Sequence, residues 1–401
     1  MDIMDIGAYI HIPFCRSRCS YCDFNTYAGL GDLIEPYVAA LVWQMGHSTV
    51  MRDPAGAVVR TVYFGGGTPS LLTPEQVERI LRALRCSFRT SPEAEISLEA
   101  NPGTVDLTYL RELRALGVNR LSLGVQCLDD ATLASVGRIH TAEQARESVQ
   151  LARRAGFDNL SLDLMYGLPA QSVAQWKHTL SEALELRPEH ISLYALTLDD
   201  ETPLGRAVAS GDVSVPDADA AADMYEAAEA MLDEAGYSHY EISNWSLAGR
   251  QCAHNLIYWR NEPYLGFGAG AHSSLPLWAV SEGWPRQRPA QGDMWARFSN
   301  LRRPEQFIAA SQLEQAATDD LETLDTPLSR AETMFLGLRL LEEGVIFASF
   351  SSRFRQDPRT IYQRQLSELK AGGLITMDET SICLTKRGHL LGNEVFQRFL
   401  E

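Results

Sequence analysis

The sequence predicts an α/β protein: a partial (β/α)6 barrel followed by a small C-terminal helical, winged-helix-like domain. Three observations predict it. Six short apolar runs alternate with helix-like stretches between Ala8 and Leu196, the pattern of a parallel sheet wound from right-handed βαβ units. Each run ends in or carries residues able to do chemistry, as expected where the C-terminal strand ends of a β/α barrel share one face. From Ala331 the pattern changes to two helical stretches, a hairpin-like pair and a last helix.

The first run, Ala8–Phe14, leads into Cys15, Cys19 and Cys22 in the order C-x3-C-x2-C. Three thiolates this close converge on one inorganic centre. A structural zinc ion takes four ligands, which His11 or Asp23 would have to complete, whereas a 4Fe-4S cluster held by three cysteines leaves one iron open. Three buried thiols are the remaining reading. The rings of Tyr9, Phe14, Tyr21 and Phe24 favour a cluster, since apolar surroundings exclude water and tune its potential.

A helix over Leu33–Met51 follows, then the run Val58–Phe64, which ends in Gly65-Gly66-Gly67-Thr68-Pro69. No Gly-Lys-Ser/Thr comes after it, so a triphosphate loop is poorly supported. The open readings are a tight turn without ligand and a close-approach loop whose N–H groups meet a carboxylate. Thr73-Pro74 starts the helix Pro74–Leu84. Glu95–Glu99 ends in Glu99, Arg120–Gln126 in Gln126, Asn159–Met165 carries Asp163, and His190–Leu196 carries Tyr194-Ala195. Helices Ala142–Ala155 and Ser172–Leu186 connect the later runs. A carboxylate or amide alone is usually a cap. Three at matching positions fit a ligand with hydroxyl and ammonium groups. Arg138 would oppose a carboxylate or lie in solvent.

Beyond the helix Ala220–Gly236, His254 stands in Cys252-Ala253-His254-Asn255-Leu256-Ile257-Tyr258-Trp259, an imidazole among large rings. A lone histidine is usually structural, but this setting suits a flat macrocycle with His254 as axial ligand to iron. Cys252 is read as incidental. Gly266–Gly270 leads to His272, near the same mouth. Residues 281–330 are read as connection. The division expected is 1–240 barrel, 241–330 connection packing on the barrel mouth, and 331–401 C-terminal domain.

The chain has 401 residues, a formal net charge of -17 and seven cysteines, four of them isolated. The charge argues against binding nucleic acid. The odd, scattered cysteines argue against a disulfide framework and for a reducing compartment. There is no apolar run long enough to cross a membrane, and the acidic N-terminus is no targeting peptide. A cytoplasmic protein is expected.

With its motifs laid out, the chain resembles the radical S-adenosylmethionine superfamily. Its C-x3-C-x2-C matches that family's cluster motif. YIHIPFC, GGGTPS, SLEANP, LSLGVQ, LDLMYGLP and HNLIYW occur in the order of the branch that contains oxygen-independent coproporphyrinogen III oxidase and the HemW haem chaperones. The resemblance implies a radical-SAM partial barrel in which Cys15, Cys19 and Cys22 hold a 4Fe-4S cluster. It places S-adenosylmethionine among Tyr9, Gly66, Gly67, Thr68, Glu99, Gln126, Arg138, Asp163 and Ala195, and a second molecule, as in the oxidase, at Tyr21 and His272. Phe24 stands where the oxidase motif has a further cysteine, and the oxidase's longer N-terminal arm is missing before Cys15. HNLIYW matches the H-N-x-x-Y-W pattern of the haem chaperones, which nominates His254 for haem. The chaperone reading implies transfer of haem to apo-haemoproteins, a homodimer, and membrane association only through an acceptor. Coproporphyrinogen oxidation is the alternative activity and is not expected.

Overall fold

The computed structural model describes residues 4–47, 50–281 and 293–400. A twelve-stranded sheet dominates it. In chain order the strands are β1 (Met4–Ile12), β2 (Ala57–Gly66), β3 (Arg89–Ala100), β4 (Arg120–Gln126), β5 (Leu160–Tyr166), β6 (His190–Ala195), β7 (Ser238–Glu241), β8 (Asn244–Ser246), β9 (Tyr264–Phe267), β10 (His272–Pro276), β11 (Asp293–Asn300) and β12 (Thr318–Asp325). Their order across the sheet is β12-β11-β10-β9-β1-β2-β3-β4-β5-β6-β8-β7. Strands β1 to β6 are consecutive and parallel, and β9 adds a parallel neighbour to β1. The remaining pairs are antiparallel.

The six parallel strands are those expected, displaced by a few residues at their ends; β4 begins and ends as read from sequence. The longer helices that connect them are α1 (Ile34–His47), α2 (Pro74–Ser87), α3 (Leu107–Leu116), α4 (Ala142–Arg154) and α5 (Val173–Glu185), with a short helix at Asp130–Ser135 before α4. Local chemistry starts three of these firmly. Thr73 with Gln76, Thr141 with Gln144, and Ser172 with Gln175 form reciprocal capping boxes, each satisfying two backbone donors that the helix start would otherwise leave unpaired.

The strands alternate in character because both faces are buried for different purposes. Leu98, Leu121, Leu123, Leu160, Leu162, Ile191 and Leu193 pack outward under the helices and are fully or almost fully buried. The alternate positions face inward and are polar. Thr61 pairs with Glu95, Ser97 with Arg120, Ser122 with Ser161, and Ser161 with His190. A barrel of this kind usually fills its interior with branched aliphatic side chains. Here the inward layer is hydrogen-bonded instead.

Helix α6 (Ala218–Glu234) packs near α5, and the short helix α7 (Ala253–Trp259) packs against β2. Glu95 anchors α7 from inside the sheet. Its carboxylate accepts the N–H groups of Ala253 at 3.0 Å and His254 at 3.2 Å, the donors that a helix start leaves free.

The stretch 281–330, expected as connection, is not one where it is described. It supplies β11, a helix at Pro304–Gln312 and β12, which extend the sheet beyond β9 and β10. Residues 282–292 lie outside the described residues. Two-residue alternation there is weak, with Arg297 and Ser299 between Ala296, Phe298 and Asn300, which is why the strand went unread. The C-terminal part has its own core of Met334, Leu338, Phe350, Leu366, Ile382 and Val395. Its strands Ile375–Met377 and Ser381–Leu384 form the expected hairpin, joined by Val345–Ile346. The last helix is split in two, Lys386–Leu390 and Gly392–Gln397. This module adjoins the sheet edge: Leu341 N–H bonds Tyr240 O at 3.0 Å, and Ile242 N–H bonds Arg339 O at 3.2 Å. No helix among the described residues is long and apolar enough to cross a membrane.

Removing the anchor of α7 leaves two buried N–H groups unpaired. Glu95→Ala is expected to cost about 1–3 kcal/mol, read as a lower urea midpoint, while the exposed control Glu78→Ala stays within about 0.5 kcal/mol of the parent.

Candidate functional site

The loop after β1 is held at both ends. Tyr27 N–H returns to Pro13 O at 2.7 Å, and Phe14–Cys15 pairs with Tyr27–Ala28. Between them Ser20 N–H bonds Val136 O, and Ser20 O accepts from Leu204 N–H. Cys15, Cys19 and Cys22 are free, partly buried thiols that all face one cavity of about 390 Å³. Thr68 Oγ1 donates to Cys15 Sγ at 3.7 Å, and Arg138 Nη1 to Cys19 Sγ at 3.5 Å. Burial pushes the Cys15 thiol up, opposed by the Thr68 hydroxyl and reinforced by Cys22 and Cys19. Three thiols on one cavity could hold a polynuclear cluster, with one metal left open to a ligand.

Opposite the thiols lies the glycine turn. Gly66 has φ 115°, and a Cβ there would lie 2.4 Å from the His11 ring. A Cβ on Gly67 would lie 2.6 Å from Phe14 O. Both positions therefore need glycine. Gly66 N–H donates to Glu99 Oε2 at 3.1 Å and Tyr63 OH to Glu99 Oε1 at 2.8 Å. Burial, and then the neighbouring Asp163 carboxylate, push Glu99 up to about 7. Asp163 is also raised by burial; Ser122 donates to it at 2.9 Å and Ser161 at 3.2 Å. Gln126 sits at φ 63°, a left-handed conformation uncommon outside glycine, at the point where β4 turns into the cavity wall. Arg138 is fixed from two sides: its Nη2 donates to Asn101 Oδ1 at 2.8 Å and to Gly124 O.

Cys15, Cys19, Tyr21, Cys22, Gly66, Gly67, Thr68, Glu99, Gln126, Arg138, Asp163 and Ala195 thus line one cavity. Three expected residues do not. Tyr9 lies beneath the glycine turn, its OH bonded to His11 Nδ1 at 2.9 Å and its ring stacked on Tyr63. His272 opens β10 with its side chain exposed and is not among the residues that line the cavity. His254, nominated as a haem ligand, is 1 % exposed. Its Nδ1 bonds Thr61 Oγ1 at 2.7 Å and its Nε2 bonds Tyr258 OH at 2.9 Å. In this conformation it presents no free nitrogen. Burial, and then the charge of Arg120, hold its imidazole down at about 3.

Sequence reading missed Arg120, Ser122, Tyr63, Asn101, Ser192 and Asn255, which also line the cavity. Arg120 is 1 % exposed, and its Nε and Nη1 have no hydrogen-bond partner. A period-two signal would have found it: Arg120, Ser122, Gly124 and Gln126 alternate along β4 and all face inward. The cavity so built can bind a zwitterion. It offers carboxylates for an ammonium group, guanidinium groups for a carboxylate, and amides and hydroxyls for a polyol.

The Radical SAM superfamily model matches residues 9–183, and the HemN C-terminal domain model matches residues 330–391. The chain is 36% identical over 394 residues to the "Heme chaperone HemW" of Lactococcus lactis, covering 98% of this chain and 97% of that protein. It is 35% identical over 398 residues to the protein of the same name from Escherichia coli, covering 98% of each. Among solved structures it is similar to coproporphyrinogen III oxidase (HemN) from Escherichia coli, with TM-score 0.81 at 23% identity over 99% of this chain and 90% of that one. That last likeness concerns the fold.

The raised carboxyls carry a pH signature. Glu99 titrates near 7 in the fold against an ordinary 4.5, so the native apoprotein holds a proton that the unfolded chain has lost between those values. Its contribution is complete below about pH 4.5 and is lost as pH rises through about 7; Asp163 acts with the same sign. Glu99→Gln is expected to flatten this slope in urea midpoints measured from pH 4.5 to 8.

Proposed function

Since the chain belongs to the HemW family of the radical SAM superfamily, we propose that it is a haem chaperone which carries a 4Fe-4S cluster and S-adenosylmethionine and hands haem to apo-haemoproteins. The observation that carries the cofactor part is the convergence of three thiols, Arg138, Glu99, Gln126 and Asp163 on one cavity. Cys15, Cys19 and Cys22 hold the cluster. Arg138 would face the carboxylate of S-adenosylmethionine, Glu99 its ammonium group, and Gln126 and Asp163 its ribose hydroxyls. Together, cluster and cofactor supply one-electron chemistry when bound. The protein's part is to orient the ligand, to neutralise it with buried charges and to keep water from the thiols. Tyr21 remains available for a second cofactor molecule, whereas the position of His272 gives that role no support.

Haem is the cargo. Phe24 and Tyr194 line the cavity rim with 66 % and 44 % of their surface exposed, flat apolar surface suited to a macrocycle. His254 would be its axial ligand once the bonds to Thr61 and Tyr258 are exchanged for iron. Its depressed proton affinity favours this, because iron binds the neutral imidazole. The competing reading is oxidative decarboxylation of coproporphyrinogen III; the completeness of the cavity favours it, and Phe24 in place of a fourth cysteine opposes it.

One anaerobically reconstituted sample separates these readings. Haem titration should give a Soret band and coproporphyrinogen should not turn over; turnover to protoporphyrinogen would establish the oxidase. Cys19→Ala should lose the cluster colour. His254→Ala should lose the Soret shift, and Thr61→Val or Tyr258→Phe, each removing a competing bond, should tighten haem binding by roughly 2–10-fold. An unchanged Soret band in folded His254→Ala would place the ligand elsewhere.

A further inference from the structure

Glu229, His239 and His389 form a second constellation, outside the thiol cavity. Glu229 lies on α6, His239 on the edge strand β7, and His389 on the C-terminal helix Lys386–Leu390. Glu229 Oε1 is 3.2 Å from His239 Nδ1 and 2.9 Å from His389 Nδ1. The three atoms lie within 4.8 Å of one another. Ligands about 2.0–2.1 Å from a tetrahedral zinc ion stand roughly 3.3 Å apart, close to two of these separations.

The protonation of His239 decides what this group is for. Its Nε2 lies 3.3 Å from Ile242 O and 3.4 Å from Tyr225 OH. A carbonyl only accepts, and the Tyr225 hydroxyl already donates its proton to the same carbonyl at 3.0 Å. A neutral imidazole with its hydrogen on Nε2 meets that carbonyl as a donor. Nδ1 then points a lone pair at the Glu229 carboxylate, so that two acceptors face each other at 3.2 Å. A cation between them, or a second proton on the ring, relieves this. Trp245 stacks on the ring at 3.8 Å and 11°, fixing its plane. A backbone carbonyl on the far nitrogen and a locked ring are what orient metal-binding histidines in proteins. The side chains of His239, Glu229 and His389 keep 15%, 19% and 11% of their surface exposed, enough for an ion to enter with a water as fourth ligand.

We propose that Glu229, His239 and His389 bind a divalent transition-metal ion, zinc by donor set, which pins the C-terminal module to strand β7. Two imidazoles and a carboxylate suit zinc. Binding requires Nδ1 of His389 to release its hydrogen to solvent or to Nε2. The site shares no residue with the cysteine loop, so zinc and an iron-sulfur cluster would be held together by one chain.

The test uses full-length protein with its cluster reconstituted, equilibrated with Zn2+, desalted, and analysed for zinc and iron. About one zinc per chain is expected, absent in Glu229→Gln and His239→Gln with iron unchanged. The same zinc should remain in the Cys15→Ser/Cys19→Ser/Cys22→Ser variant, which excludes the loop as its source. Zn2+ should raise the melting temperature of the parent but not of Glu229→Gln, and Co2+ in its place should give the visible absorption of a tetrahedral nitrogen–oxygen site. A parent that retains no zinc, or zinc retained in either ligand variant, overturns the proposal. If one ligand variant does not fold, the parent's zinc content and the other variant still decide it.

Discussion

The structure depends on the burial of ionisable groups along the inward face of six parallel strands. Removing a carboxylate or guanidinium from water is costly unless partners compensate. The barrel supplies them in layers. Glu95 is satisfied by the start of α7, Asp163 by Ser122 and Ser161, and Glu99 by Gly66 N–H and Tyr63 OH. Arg120 stands among these carboxylates with two of its nitrogens, Nε and Nη1, unpaired.

The cysteine loop and the glycine turn depend on each other through this layer. Gly67 N–H bonds Ile12 O at 2.8 Å, and Gly66 can approach His11 closely only because it lacks a Cβ. Moving Glu99 would therefore disturb the turn, and through it the strand that leads to Cys15. The apolar contacts of Tyr21 and Leu196 with Leu133, Val136 and Leu168 hold the far side of the loop. Rigid strands below and a tethered loop above are how a site keeps its groups aligned without a ligand present.

His254 shows the limit of motif reading. HNLIYW is visible in the sequence, and its histidine is buried and doubly hydrogen-bonded in the fold. The motif thus serves first to plug the inner face of β1 and β2, where it meets Gly7, Thr61 and Tyr63. Any ligand role for His254 would have to compete with those bonds.

By itself the sequence determined the six parallel strands, their helices, the thiol loop and the polar residues at the strand ends. These follow from local rules: alternation, capping boxes and cysteine spacing act within a few residues. Only the tertiary structure decided the rest. Strand β9 joins the sheet by pairing with the distant β1, and β10 to β12 extend it as sequential antiparallel neighbours, which no local periodicity encodes. Arg120 became part of the cavity because the sheet curls, and His254 was withdrawn from it because Thr61 and Tyr258 lie within reach. Glu229, His239 and His389 are 10 and 150 positions apart along the chain, and meet only where the C-terminal module settles on the sheet edge.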